Sequence, residues 1–316
     1  MKPPKVITLT LNPALDVKMA LRAPRLGGLN RAQSMELEPS GKGINVARAL
    51  ARQGIPVQAV APLGGSFGVA IACQLQATPE FELITVEIAG FTRANFKAID
   101  AETGEVTEFN APGPRLTKEE LERLEAILLQ RLEEGDVVVV SGSLPQGVGP
   151  EVYAEWVSKI HKIGAKALLD TGGEALKKVL SAKPFLVKPN RLEAEELLGW
   201  PIRSREDALR AVRQIQTLGA QWVVLSLGAE GAVFAAQETL LALPPRVRVT
   251  STVGCGDALL AGVVVGMFHR HSWQEIARYA TALAAARACG EGVEFPNISQ
   301  TQALLDEVRL EPLEMG

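Results

Sequence analysis

Short runs of consecutive apolar residues alternate along this chain with longer segments whose apolar positions recur every three to four residues. Residues 6–11 read as a buried strand ended by Asn12-Pro13. Residues 137–140, 166–170, 185–187 and 223–227 have the same character, and 246–249 is expected to be one more strand. Helical spacing appears at 44–50, closed by Gly54, and again at 150–163, 191–198 and from Ser204 to Gly219. Thr117 with Glu120 forms a capping box ahead of Leu121, Leu124, Ile127 and Leu128. Two long Ala-rich helical segments are expected to close the chain. Apolar strands separated by amphipathic helices predict an α/β fold with a mainly parallel sheet covered on both faces.

Two regions break that rhythm. Residues 16–21 and 31–38 mix polar and apolar positions at short range, interrupted by Pro24 and Gly27-Gly28. Residues 93–99 alternate, and 105–110 answer them after Thr103-Gly104, which is a hairpin pattern. Together they predict a small four-stranded sheet exposed on one face.

With 47% hydrophobic and 22% charged residues among 316, the chain can bury enough surface to offset its ordering entropy, which excludes disorder. A net charge of −3 without a Lys/Arg block argues against a nucleic-acid or membrane partner. Cys73, Cys255 and Cys289 lack metal spacing and read as reduced thiols of a cytoplasmic protein. His161, His269 and His271 form no zinc motif. Met1-Lys2-Pro3-Pro4 leads straight into a strand with no signal-peptide pattern, and the longest apolar stretch, 258–268, is too short to span a bilayer.

Ligands of such sheets bind beyond the carboxyl ends of the strands. There the chain has Ser251-Thr252-Val253-Gly254-Cys255-Gly256-Asp257, between an expected strand and the apolar helix. Glycines allow close backbone approach, and the first amides of a helix attract anions such as phosphate. In isolation the same stretch is equally a helix cap after a Gly-rich turn. No G-x-x-x-x-G-K-[ST] occurs, so a P-loop is excluded. Gly41-Lys42-Gly43 opens like a dinucleotide fingerprint, but Val46 occupies the third glycine position, which excludes that reading too.

Gly41-Lys42-Gly43-Ile44-Asn45-Val46-Ala47, Lys188-Pro189-Asn190-Arg191-Leu192-Glu193, Ser226-Leu227-Gly228-Ala229-Glu230-Gly231 and Ser251–Asp257 follow one another in order. Together they resemble the ribokinase/PfkB family of sugar kinases, over nearly the whole chain. Thr10-Leu11-Asn12-Pro13-Ala14-Leu15-Asp16, Thr92-Arg93-Ala94-Asn95 and Ser141-Gly142-Ser143-Leu144-Pro145 narrow the likeness to its phosphosugar branch. The resemblance implies a ribokinase-like three-layer sandwich with a small β-sheet lid: residues 1–11, 41–90 and 112–316 in the core, 12–40 and 91–111 in the lid. It implies ATP-dependent phosphorylation of a ketohexose phosphate, foremost fructose 1-phosphate to fructose 1,6-bisphosphate. Tagatose 6-phosphate and fructose 6-phosphate are the alternative acceptors, and a non-catalytic sugar-phosphate sensor ranks below them.

The same resemblance assigns roles. Asp257 corresponds to the base that takes the proton of the attacking hydroxyl, and the amides of Gly254, Cys255 and Gly256 to the pocket stabilising the transferring phosphoryl. Asp16, Gly41, Lys42, Gly43, Asn45 and Ser141 match acceptor-binding positions, and Arg93 the arginine that holds the acceptor's existing phosphate. Lys188, Asn190, Glu193, Ser226, Gly228 and Gly231 match the ATP site, with Asn190 and Glu193 associated with Mg²⁺ through water. A monovalent cation such as K⁺ and a homodimer formed through the lid are implied as well. By their residue types alone, Asn190 and Glu193 are a helix cap, Arg93 an exposed hairpin charge and Lys188 a surface lysine. Two departures stand out. Ser40 replaces a glycine common before G-K-G, and Cys255 stands where alanine is common. At a helix N-terminus that thiol is expected to have a lowered pKa and to be alkylated readily unless ATP covers it.

Overall fold

The computed structural model describes residues 3–76, 81–290 and 294–314. Met1 and Lys2, and the stretches 77–80, 291–293 and 315–316 of the expected core range, lie outside the described residues. In chain order the strands are β1 (Val6–Leu9), β2 (Ala14–Leu21), β3 (Ser34–Ser40), β4 (Val57–Leu63), β5 (Phe81–Glu87), β6 (Arg93–Asp100), β7 (Val106–Phe109), β8 (Val137–Ser141), β9 (Lys166–Asp170), β10 (Leu186–Val187), β11 (Trp222–Ser226), β12 (Ala232–Ala235), β13 (Thr239–Leu243) and β14 (Arg309–Pro312). The helices are α1 (Lys42–Arg52), α2 (Gly65–Leu75), α3 (Lys118–Leu129), α4 (Val152–Ile163), α5 (Gly173–Val179), α6 (Arg191–Leu198), α7 (Arg205–Leu218), α8 (Cys255–His269), α9 (Trp273–Cys289) and α10 (Ile298–Leu305).

A ten-stranded sheet runs β14-β13-β12-β11-β10-β9-β8-β1-β4-β5. From β5 to β11 all neighbours are parallel, and β12, β13 and β14 add antiparallel pairs at one edge. Two apolar clusters cover its faces. One joins β1, β8 and β9 to α3, α4 and α7 through residues such as Leu128, Trp156 and Val212. The other joins α1, α8 and α9 to the opposite face. The layering is therefore helix, sheet, helix. The helix α8 is buried from Asp257 to Gly266, and Gly262 and Gly266 let α9 approach: a Cβ at Gly262 would meet the Ala280 Cα at 2.4 Å. Among the described residues no helix is long and apolar enough to cross a membrane.

Two expectations need correction. Residues 246–249 form no strand, because β13 is already paired on both sides, by β12 and β14, and offers no free edge. Nor do the Ala-rich helices end the chain, since α10 and β14 follow them. The short strands β12 and β13, and the unit β4-α2-β5, carried no pattern that set them apart in the sequence reading.

The four irregular segments do assemble into a separate sheet of order β3-β2-β6-β7. Strands β2 and β6 run parallel, whereas β3 and β7 pair antiparallel at the edges. The chain enters this sheet after β1 and leaves it into α1, which places it beyond the carboxyl end of β1, the third strand from the β5 edge of the large sheet.

Candidate active site

Lysine 42 follows β3 at the first position of α1, whose cap is Gly41 with φ 130°. A side chain at Gly43 would put a Cβ 2.4 Å from Thr10 Oγ1 and 2.7 Å from the Leu9 carbonyl oxygen. The G-K-G turn therefore lies directly on the end of β1, and only glycine lets it do so. From α1, Asn45 Nδ2 donates to Asp257 Oδ2 at 2.8 Å, across 212 residues of sequence. Asp257 occupies the first turn of α8 and is 7% exposed. Burial, and then the negative charge of Asp170, push its carboxyl up to about 6, although Asn45, Lys188 and Lys42 act in the opposite direction.

Asp170 is the residue that sequence reading missed. It ends β9, pairs in register with Ser141 at the end of β8, and is 1% exposed. Lys42 Nζ lies 2.8 Å from its Oδ1 and Lys188 Nζ 3.1 Å from its Oδ2. Those two ammonium groups hold the Asp170 carboxyl below its ordinary value despite complete burial. Burial also opposes the charge on Lys42, yet Asp170 and Glu193 raise its pKa above that of a free lysine. The only sequence signal for Asp170 was a carboxylate closing an apolar strand. Neither lysine is the solvated surface charge its type alone suggests. Lys188 is 3% exposed, and its amine would lie 3.3 Å from a Cβ at Gly256, so it sits over the start of α8.

Asn190 caps α6 and forms a full capping box with Glu193. Asn190 Oδ1 accepts from the Glu193 amide and Glu193 Oε2 from the Asn190 amide, both at 2.9 Å. That leaves Glu193 Oε1 facing Lys42 Nζ at 3.4 Å. Ser226 ends β11 and bridges to Asn190, so the turn of Gly228 and Gly231 stands beside α6. This turn lies one strand beyond Lys188, and the Ser226 amide donates to the Pro189 carbonyl at 3.0 Å.

At the mouth of α8, Gly254 is the helix cap with φ 80°, a left-handed conformation that suits glycine. The amides of Gly254 and Gly256 have no backbone partner among the described residues. The Cys255 amide instead donates to the Thr252 carbonyl at 3.3 Å, so it is not one of the bare donors expected. Its thiol departs from expectation too. Burial pushes the Cys255 pKa up and outweighs the nearby Arg287 charge, opposite to the lowering a helix N-terminus suggests.

A second group of side chains lies on the small sheet. Asp16 on β2 receives Asn95 Nδ2 at 2.9 Å and faces Lys97 Nζ at 2.8 Å. Arg93 begins β6, but its terminal nitrogens donate to the carbonyls of Ala111 at 2.8 Å and Asn12 at 3.0 Å, in two of the four crossings between the sheets. Its Nε is buried without a hydrogen-bond partner among the described residues. Burial lowers the Arg93 pKa, and Asp16 partly restores it. Ser141, fully buried, likewise has an Oγ without a partner among the described residues. Beside Lys42 and Glu193, a cavity of about 640 Å³ is lined also by Gly142, Ser143, Thr171 and Gly172, among others.

Comparison with known proteins identifies the framework. The chain is 36% identical over 316 residues to the 1-phosphofructokinase of Escherichia coli (strain K12), covering 98% of each. It is 34% identical over 310 residues to that of Vibrio cholerae, covering 98% of this chain and 97% of the other. Phosphofructokinase-2 from Escherichia coli, solved in complex with potassium, superimposes with a TM-score of 0.91 at 32% identity, covering 96% of this chain and 98% of that one. The same enzyme with fructose-6-phosphate gives 0.89 at 31%, with the same coverage. The family model described as pfkB family carbohydrate kinase matches residues 9–300, a span that holds every residue of both side-chain groups, and the chain belongs to that family.

Proposed function

We propose that this protein transfers the γ-phosphoryl group of ATP to a hydroxyl of a fructose phosphate, with fructose 1-phosphate as acceptor and fructose 1,6-bisphosphate as product. The observation that carries the reading is Asp257. It is a buried carboxylate, positioned by Asn45, at the start of a helix whose Gly254 and Gly256 amides are bare, within reach of two lysines. The relatives named 1-phosphofructokinase favour the 1-phosphate. The likeness to a structure holding fructose-6-phosphate supports the 6-phosphate as a second reading.

In this mechanism Asp16 and Asn45 hold acceptor hydroxyls, with Gly41, Gly43 and Ser141 lining the approach. Arg93 takes the acceptor's existing phosphate and exchanges its carbonyl partners for it. Asp257 accepts the proton of the attacking hydroxyl as the new P–O bond forms and the bond to ADP breaks. A base with a pKa of about 6 is ionised at neutral pH and still basic enough to share that proton. Lys42, Lys188 and the Gly254 and Gly256 amides face the charge spreading over the transferring phosphoryl, where positioning and electrostatics supply most of the rate. Ser226, Gly228 and Gly231 border the nucleotide, and the small sheet acts as a lid that excludes water.

Mg²⁺ fits this donor set in one way. Among the described residues no three His, Cys, Asp or Glu side chains form a metal cluster, and of the side-chain oxygens of Asn190 and Glu193 the capping box leaves Glu193 Oε1, which faces Lys42 Nζ. Glu193, with Asn190 beside it, would therefore hold the ion through water and ATP phosphates, where it neutralises phosphate charge. A monovalent cation would find carbonyl oxygens at Ala288 and Gly290, which Thr250 Oγ1 now engages. We read the protein as cytoplasmic, consistent with its three free cysteines. We also infer a homodimer through the lid, because Leu37, Phe96 and Phe109, aligned across the small sheet with Val17, are exposed. ADP release measured side by side with fructose 1-phosphate, fructose 6-phosphate and tagatose 6-phosphate tests the reading. A higher kcat/KM for fructose 1-phosphate is expected, and no turnover of any of the three would refute it.

A further inference from the structure

Strand β6 presents Arg93, Asn95 and Lys97 at alternate positions, so all three share one face of the small sheet. Lys97 is 8% exposed, an unusual state for a lysine on a thin sheet. Its Nζ lies 2.8 Å from Asp16 Oδ2 and 3.5 Å from Glu108 Oε1. Asn95 holds the other Asp16 oxygen, and Asp16 is only 3% exposed. Each carboxylate oxygen therefore has one neighbour fixed on the sheet and keeps a lone pair for a further donor.

We propose that Lys97 is a positioning residue for the acceptor sugar: with Asn95 it fixes the orientation of the Asp16 carboxylate so that both oxygens accept sugar hydroxyls. The proposal rests on the reading that Asp16 binds the acceptor. A simple strap between β6 and β7 explains the geometry less well, since Glu108 is the more distant and more exposed partner. Burial works against the Lys97 charge, but the hydrogen bond and charge of Asp16, then Glu108, raise its pKa above the ordinary lysine value.

The other charges facing Asp16 do not replace Lys97. Glu38, opposite Asp16 on β3, is paired with Lys18 on β2 at 2.5 Å and with Arg48 on α1 at 2.7 Å. Arg93 feels Asp16, but its terminal nitrogens are engaged by carbonyls. Without Lys97, the Asp16 side chain would keep the Asn95 amide but lose the contact that orients its Oδ2. A carboxylate that can turn away is a poorer acceptor for hydroxyls held in one geometry, so sugar binding would weaken.

The test is steady-state kinetics with fructose 1-phosphate and ATP at neutral pH for wild type, Lys97→Met, Lys97→Arg, Glu108→Gln and Asp16→Asn. For Lys97→Met the sugar KM should rise about tenfold or more, as for loss of one charged hydrogen bond. The ATP KM should be unchanged and kcat should stay within about threefold. Lys97→Arg should restore most of the affinity. Glu108→Gln, on an exposed strand, should leave the sugar KM unchanged or lower it, and this variant keeps the test decisive if Lys97→Met fails to fold. An unchanged sugar KM in Lys97→Met, a Lys97→Arg variant as weak as Lys97→Met, or a tenfold rise in Glu108→Gln would overturn the proposal. If Asp16→Asn itself leaves the sugar KM unchanged, the underlying assignment of Asp16 fails instead.

Discussion

Replacing Asp257 by asparagine should make the protein more stable while nearly abolishing turnover. The native fold holds this carboxyl at about 6 against an ordinary value of 3.8, chiefly because it is buried. At about 1.4 kcal/mol per tenfold change in proton affinity, that difference corresponds to roughly 3 kcal/mol of strain in the ionised native state. The sign follows from linkage. The folded form binds the proton more tightly than the unfolded form, so this group's stabilising contribution is complete below 3.8 and is lost as pH rises through about 6. Asparagine is neutral throughout and can still accept the Asn45 amide, so it escapes the loss. Urea unfolding at pH 8 should show the variant more stable by up to about 3 kcal/mol, and at pH 5 by about half as much. The kcat should fall by about 10² to 10⁴-fold, the usual contribution of a positioned base. A variant no more stable than wild type at pH 8, or a stability difference that ignores pH, would refute the electrostatic account. Near wild-type kcat would refute the assignment of the base.

Activity should carry the same signature: log kcat/KM should decline below about pH 6, and in Asp170→Asn the inflection should move to lower pH, because the charge that raises Asp257 is gone. An inflection that stays put in a pH–rate profile would argue against that coupling. Arg93→Ala should raise the KM for fructose 1-phosphate by about tenfold or more while hardly changing that for unphosphorylated fructose, read by the same ADP-release assay. Cys73, exposed, should be alkylated by iodoacetamide well before Cys255, whose thiol pKa is raised by burial, with activity surviving the first modification. Mass spectrometry of the modified sites against residual activity would expose the reverse order.

Strand and helix positions were largely legible where the information is local. The capping boxes at Thr117, Asn190 and Ser204 close within three residues, so sequence alone locates those helix starts. The alternation in 93–99 and the valine run 137–140 likewise marked β6 and β8. Strand 246–249 failed for the opposite reason: alternation supplies a pleated face but not a partner, and β14 had taken the available edge.

For the site, the motifs named Asp257, Asn45, Lys42, Lys188, Asn190 and Glu193, and the chain brings these six near one another. They could not supply Asp170, the carbonyl partners of Arg93, or the direction of the Cys255 shift. A cap or a pleat depends on residues three or two apart, and the backbone fixes them together. An ion pair such as Lys42 with Asp170 spans 128 residues. Its strength, and every proton affinity near it, depends on burial and on separations of a few ångströms that exist only once β1, β8, β9 and α8 are packed side by side.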